Sequence, residues 1–256
     1  MPEAPAIRRV LVALDTLSRS QVALRTAGAL AAEFDAELAG LFVEDIDLAR
    51  LFALPFAREL CVLSGELRPL SPADIERGWR RDAAMLEQRL AEAAGALRLR
   101  WSFRVARGRR VAEASVQAQA VDLVVLGGRA AALPETVPVS ASAAPVLVLV
   151  APGRPDAGID LGVRLARRSG TELVLLIPAA DPAAFEAACQ AGRAAAKAKT
   201  RLRCVPLETA DPASLLRALR REAAGCLVLP DRNRLLEGGG YVRMLDVAEC
   251  PVVLGS

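Results

Sequence analysis

Histidine is absent from this 256-residue chain. With it go Ser-His-Asp and Cys-His nucleophile pairs, imidazole acid/base catalysis and the commonest transition-metal ligand. Aromatic residues make up only 4% and the net charge is only +3, which leaves little to stack on bases and only a mildly basic surface, so nucleic acid is not an expected partner. The five cysteines, Cys61, Cys189, Cys204, Cys226 and Cys250, are odd in number, scattered, and show no C-x-x-C spacing. Neither a disulfide framework nor a zinc site is expected, and buried inert thiols are the simpler reading. The longest apolar run, APVLVLVAP, is far short of the ~20 residues that span a bilayer, and MPEAPAIRR lacks the apolar core of a signal peptide. A cytoplasmic protein without membrane contact is expected.

What the chain does have is apolar residues, 53% of the total, enough to bury most of one large or two small domains. Val10 to Leu14 is a continuous apolar run of strand length, as a strand covered on both faces requires. Ser18 and Gln21 have capping-box spacing, and Val22, Thr26, Leu30 and Phe34 recur every four residues, which predicts an amphipathic helix. Ala36 to Val43 reads as the next strand. SPAD at Ser71 to Asp74 predicts an N-cap followed by proline at the first helical position, and Ile75, Trp79, Ala83, Leu86 and Leu90 extend a long helix. RLRWSFRVAR alternates, with Leu99, Trp101, Phe103 and Val105 on one side and Arg98, Arg100, Ser102 and Arg104 on the other, as an edge strand with one wet face would. A short helix over Val111 to Ala120 then leads to VDLVVLGG, again continuously apolar.

The pattern then returns. Pro145 to Ile177 repeats strand, loop, amphipathic helix and strand, with GTELVLLI echoing DAELAGLFV about 135 positions later. TRLRCVPL alternates like the earlier edge strand, DPASLLRALRREA is a capped helix, and GCLVLP matches VDLVVLGG at a shift of about 104. The difference between the two shifts is an arm inserted at about 44–74 in the first copy. Chance likeness between two doubly wound halves is the competing explanation. The arm, with Leu51, Phe52, Leu54, Pro55 and Phe56 close together, reads most simply as a flap over the core, with a partner or dimer surface as the alternative.

Strand, Asp, loop, helix and strand, with VLVALD at the start and DVAECPVVL at the end, resemble the universal stress protein family in tandem form. The resemblance implies an α/β fold of two tandem doubly wound parallel-sheet domains, Rossmann-like and adenine nucleotide alpha hydrolase-like, with strand order 3-2-1-4-5. It places the domains at 1–144 and 145–256. Only PVLVLV lies between Gly128 and Asp156, where a full tandem would show two strands. Losing a central strand would split a sheet and losing the fifth only trims an edge, so Pro145–Val150 is assigned to the second half and the first half lacks its fifth strand. The reverse assignment is the alternative.

Members of the family that bind ATP carry a G-x2-G-x9-G-[ST] loop after strand four, whose backbone N–H groups and following helix N-terminus receive phosphate. An aspartate ending strand one and backbone after strand two hold the adenosine. By resemblance the positions are Asp15, Thr16, Val43, Gly127 and Gly128 in the first half and Gly238, Gly239 and Gly240 in the second. The loops depart from the pattern: Ala130 replaces the second glycine, Pro230 and Asn233 replace glycines in the second half, and that half has VAP at Val150–Pro152 in place of the aspartate. Each lost charge-assisted hydrogen bond costs roughly 1.5–3 kcal/mol, so losing two or three weakens binding about 100-fold to 100,000-fold. Gly238–Gly240 reads as a flexible turn or an anion nest, near Arg232, Arg234 and Arg243. The expectation is a non-enzymatic, stress-linked regulatory binding module with no catalytic residues, metal or cofactor. Its partners are itself, by paired halves or a homodimer, or another protein. A protein that binds ATP or AMP in its first half, with weak hydrolysis, is the alternative.

Overall fold

The computed structural model describes residues 7–14, 17–52, 54, 58–60, 65, 67–69, 72–118, 120–127, 144–151, 158–197, 200–230 and 239–255. The elements in chain order are β1 (Arg9–Leu14), α1 (Leu17–Phe34), β2 (Glu37–Asp45), α2 (Ile46–Phe52), β3 (Arg58–Leu60), β4 (Leu67–Pro69), α3 (Pro72–Ala96), β5 (Trp101–Gly108), α4 (Arg110–Ala118) and β6 (Leu123–Leu126). There follow β7 (Val146–Leu149), α5 (Ile159–Ser169), β8 (Leu173–Pro178), α6 (Pro182–Ala196), β9 (Leu202–Leu207), α7 (Pro212–Arg221), β10 (Cys226–Leu229), α8 (Gly239–Val247) and β11 (Val252–Gly255).

Nine strands form one sheet in the order β5-β2-β1-β6-β11-β10-β7-β8-β9, while β3 and β4 form a separate antiparallel pair in the region of the expected arm. Read from either edge inward, the main sheet begins with the same arrangement of third, second, first and fourth strands. Every pair is parallel except β11 with β6. The two sheets expected side by side are thus joined into one, because β11 bonds to β10 on one flank and to β6 on the other. The strand at Val146–Leu149 lies between β10 and β8, and no strand separates β6 from β7 in sequence among the described residues.

The apolar runs account for this layering. β1, β6, β7 and β10 are covered on both faces, and all the residues of their apolar runs are buried. Helices α1, α3, α5 and α6 close one face, with Leu30, Leu86, Leu90 and Ile159 among the fully buried side chains. Helices α4, α7 and α8 close the other, through Val111, Leu215, Leu219, Met244 and Leu245. A helix layer on each face of a mostly parallel sheet is the doubly wound α/β architecture.

The backbone also matches residue by residue between the two ends of the sheet. Leu38 N–H donates to Arg100 O at 2.9 Å as Leu173 N–H donates to Arg201 O at 2.8 Å, and Asp122 N–H donates to Arg9 O at 3.1 Å as Gly225 N–H donates to Pro145 O at 2.9 Å. β5 and β9 are the outer edges, as their alternation predicts. The apolar row of β5 is only partly covered, however, and Trp101 is 41% exposed, because an edge strand has a sheet neighbour on one side alone. One expectation is corrected at α1: the helix begins at Leu17, so Ser18 lies in its first turn and is not the cap.

Candidate functional site

In an open α/β sheet, ligands bind beyond the carboxyl ends of the strands, where neighbouring connections run to opposite faces. The layers change between the neighbours of β1: the chain leaves β1 for α1 on one face, and it leaves β5 for α4 on the other before entering β6 beside β1. The register places Leu14 beside Phe42 and Ala13 beside Leu126. One residue further on, Val43 and Gly127 flank the end of β1 from either side, two strand spacings or about 10 Å apart. Both are buried. Asp15, Thr16, Gly128 and Gly238 lie outside the described residues.

The same register identifies the corresponding positions at the other end of the sheet. Val148 lies beside Val228 and Leu149 beside Leu176, so Pro178 stands where β2 has Val43, Pro230 where β6 is followed by Gly127, and Ala151 where β1 is followed by Asp15. A proline has no N–H to offer a phosphate or an adenine ring. Gly158, with φ 78°, precedes α5 without a side-chain cap, and a Cβ added there would lie 3.5 Å from the Pro230 Cβ and 3.5 Å from the Val228 Cγ1. Two backbone donors are thus missing from this rim.

Gly239 and Gly240 are the first residues of α8. A Cβ on Gly240 would meet the Pro212 Cγ at 3.3 Å, and the Tyr241 hydroxyl donates to Ala210 O. The small residue lets α8 approach the start of α7. That start is itself closed: the Asp211 carboxylate accepts from Ala213 N at 2.8 Å, Ser214 N at 3.1 Å and the Ser214 hydroxyl at 2.6 Å. The Ser214 hydroxyl, followed by the Thr209 hydroxyl, holds the Asp211 carboxyl far below the usual carboxylate range.

A second polar constellation, which the alternation alone did not reveal, lies at the opposite, amino-terminal ends of β1, β2 and β5. Arg9 Nη2 donates to Ser102 Oγ at 3.3 Å and lies 3.3 Å from Glu37 Oε1, and the Ser102 hydroxyl donates to the same Glu37 oxygen at 2.5 Å. The available signal was a charged residue leading a buried strand and a serine breaking a row of arginines. An open cleft of about 830 Å³ also runs between α1 and α3, lined in part by Leu24, Arg25, Met85 and Arg89. Among the described residues no group of three His, Cys, Asp or Glu side chains could hold a metal ion.

These features define a doubly wound α/β protein with the universal stress protein fold. In particular, the chain is similar to a universal stress protein from Archaeoglobus fulgidus DSM 4304, at a TM-score of 0.54, 11% identity and 96% coverage of each chain. It is similar to a protein of unknown function from Pseudomonas aeruginosa PAO1, at a TM-score of 0.52 and 14% identity over 97% of this chain and 92% of the other. A candidate universal stress protein from Pseudomonas aeruginosa UCBPP-PA14 gives a TM-score of 0.52 and 15% identity over 97% and 93%. No family model and no curated protein sequence matches the chain.

Proposed function

We propose that this is a universal-stress-type regulatory binding protein, built as two tandem units at 1–144 and 145–256 and without enzymatic activity. Pairing of the units with each other, and of whole chains as a homodimer, belongs to this reading, as does a cytoplasmic, stress-linked role. The observation that carries it is the asymmetry of the two carboxyl edges. Ala151, Pro178 and Pro230 stand where the first unit has Asp15, Val43 and Gly127, so the second unit has lost both the acid and backbone donors of a nucleotide cradle.

One observation favours a second reading, a nucleotide-binding protein that takes ATP or AMP in the first unit alone. Gly127 follows a central strand and Val43 flanks the same edge. Isothermal titration of ATP and AMP, with mass spectrometry of the purified protein for carried-over nucleotide, distinguishes the two. The lead reading expects no carried-over nucleotide and no binding tighter than millimolar. Micromolar binding at one site per chain, abolished by Asp15→Ala, would establish the second reading, and two sites per chain would overturn both.

A further inference from the structure

The polar constellation at the amino-terminal ends of β1, β2 and β5 borders a partly open cavity of about 80 Å³, lined by Arg9, Ser102, Arg104 and Gln117 over a floor that includes Leu11 and Ala39. The Nε–H of Arg9 is buried and has no hydrogen-bond partner. A buried donor left unpaired costs free energy, so an acceptor belongs beside it. Arg104 Nη1 donates to Gln117 Oε1 at 3.3 Å, which leaves the Gln117 amide N–H groups and the rest of the Arg104 fork to donate elsewhere.

The corresponding site at the other end of the sheet is a network of ion pairs. There, Arg203 lies between two carboxylates, Glu222 at 2.7 Å and Glu172 at 3.5 Å. Its position in β9 corresponds to Ser102 in β5, since Val174 pairs with Arg203 as Ala39 pairs with Ser102. Arg221 reaches the same Glu222 at 3.0 Å, so two cations meet two anions there. Around the cavity, Arg9 and Arg104 meet Glu37, already engaged by the Ser102 hydroxyl, and Asp122, whose carboxylate accepts from Arg8 N at 2.7 Å and Arg9 N at 3.0 Å. Both carboxylates are already engaged, while the Arg9 Nε–H has no partner.

We propose that this cavity binds a small oxyanion, held by the Arg9 Nε–H, the Arg104 guanidinium and the Gln117 amide. Its size selects the ligand class. Each water needs ~10–15 Å³ of such space and drug-sized ligands need about 300–1,000 Å³, so the cavity takes an ion of a few heavy atoms and excludes a nucleotide. A guanidinium fork offers paired donors that suit either a planar carboxylate or a tetrahedral phosphate. The site is at the end of the strands opposite to the nucleotide edge and does not rest on the reading of that edge.

The test is isothermal titration calorimetry of the full chain with sodium phosphate and with sodium formate, at constant ionic strength balanced by chloride. At least one of the two ions should bind saturably at one site per chain, and which one binds shows whether the site prefers tetrahedral or planar geometry. Arg104→Gln alters an exposed side chain and should keep the wild-type circular dichroism spectrum while weakening binding about tenfold or more. Arg9→Lys keeps the charge but removes the Nε–H and should abolish binding. Neither ion binding would show that water alone fills the cavity. Binding unchanged in both variants would show an adventitious ion only. Either result overturns the proposal.

Discussion

A helix packed on a sheet approaches as closely as its smallest facing residue allows, and in α5 that residue is Gly162. A Cβ there would lie 2.3 Å from Val148 Cγ2 and 3.0 Å from Leu173 Cδ1. Val148 is β-branched on a central strand and fully buried, so it has no alternative rotamer into which to move. Gly162→Ala should therefore destabilise the protein by about 1–3 kcal/mol in urea unfolding. Gly78, within α3, has nothing within 4 Å of an added Cβ, and Gly78→Ala should stabilise by about 0.5–1 kcal/mol through helix propensity alone. An unchanged midpoint for both would refute the packing argument. Neither sign was legible in the sequence, where both glycines simply interrupt helical patterns. The cysteines were more legible. Burial pushes the thiols of Cys189 and Cys250 up to about 12 and raises that of Cys226, and the thiolate is the reactive form. Iodoacetamide at mildly alkaline pH should leave these three unmodified in the native protein and label them after denaturation, as counted by mass spectrometry. Labelling of any of the three as fast as free cysteine would refute their burial.

Helix starts show where sequence reading of elements succeeds and where it fails. Asp-Pro followed by small residues announces α7, where Asp211 has the network described above, and the same pair opens α6, where Asp181 accepts from Ala184 N at 2.7 Å. Each cap combines a side-chain acceptor with a proline whose missing N–H is not needed. α1 misled because Ser18 and Gln21 have capping-box spacing yet lie inside the helix; spacing alone does not say which serine is first. The caps also carry a pH dependence. The Asp211 carboxyl titrates below its unfolded value because the hydroxyls of Ser214 and Thr209 bond the charged form, and Glu222 is lowered chiefly by Arg203. A depressed carboxyl pKa means that the unfolded chain binds protons more readily, so this stability is complete above about pH 4–4.5 and is lost as pH falls below it. Asp211→Ala should lower the melting temperature at neutral pH, and the difference from wild type should shrink in acid. A difference that stays constant from neutral to acidic pH would show that the carboxylate has no part in it.

At the scale of the molecule, the strand order within each end of the sheet was legible only through the family resemblance, with which the buried runs and alternating edges agree, and the place of Val146–Leu149 followed from which strand a sheet can spare. The join was not. β6 and β11 read as ordinary buried strands, and nothing in a continuous apolar run names a partner more than a hundred residues away. Yet among the described residues β11 is the only link between the two ends within the sheet: Val253 pairs with Val125 of β6 and with Val228 of β10, and all three are fully buried. On the helix layer the ends meet through Arg164, which bonds Glu33 of α1 at 3.1 Å and stacks 5.0 Å from the Phe34 ring. That pair is part-exposed and so contributes little beside the buried seam. The seam should make the proposed units one cooperative body. Both tryptophans, Trp79 and Trp101, lie on the amino-terminal side, so fluorescence reports that unit while far-ultraviolet circular dichroism reports both. In urea the two signals should give one midpoint for the wild-type chain. Val253→Asp buries an unpaired charge between the two sets of strands and should lower stability by several kcal/mol, on the order of 3–5, separating the two midpoints as the coupling fails. Midpoints that already differ in the wild-type protein would show that each unit folds on its own and that β11 merely lies beside β6.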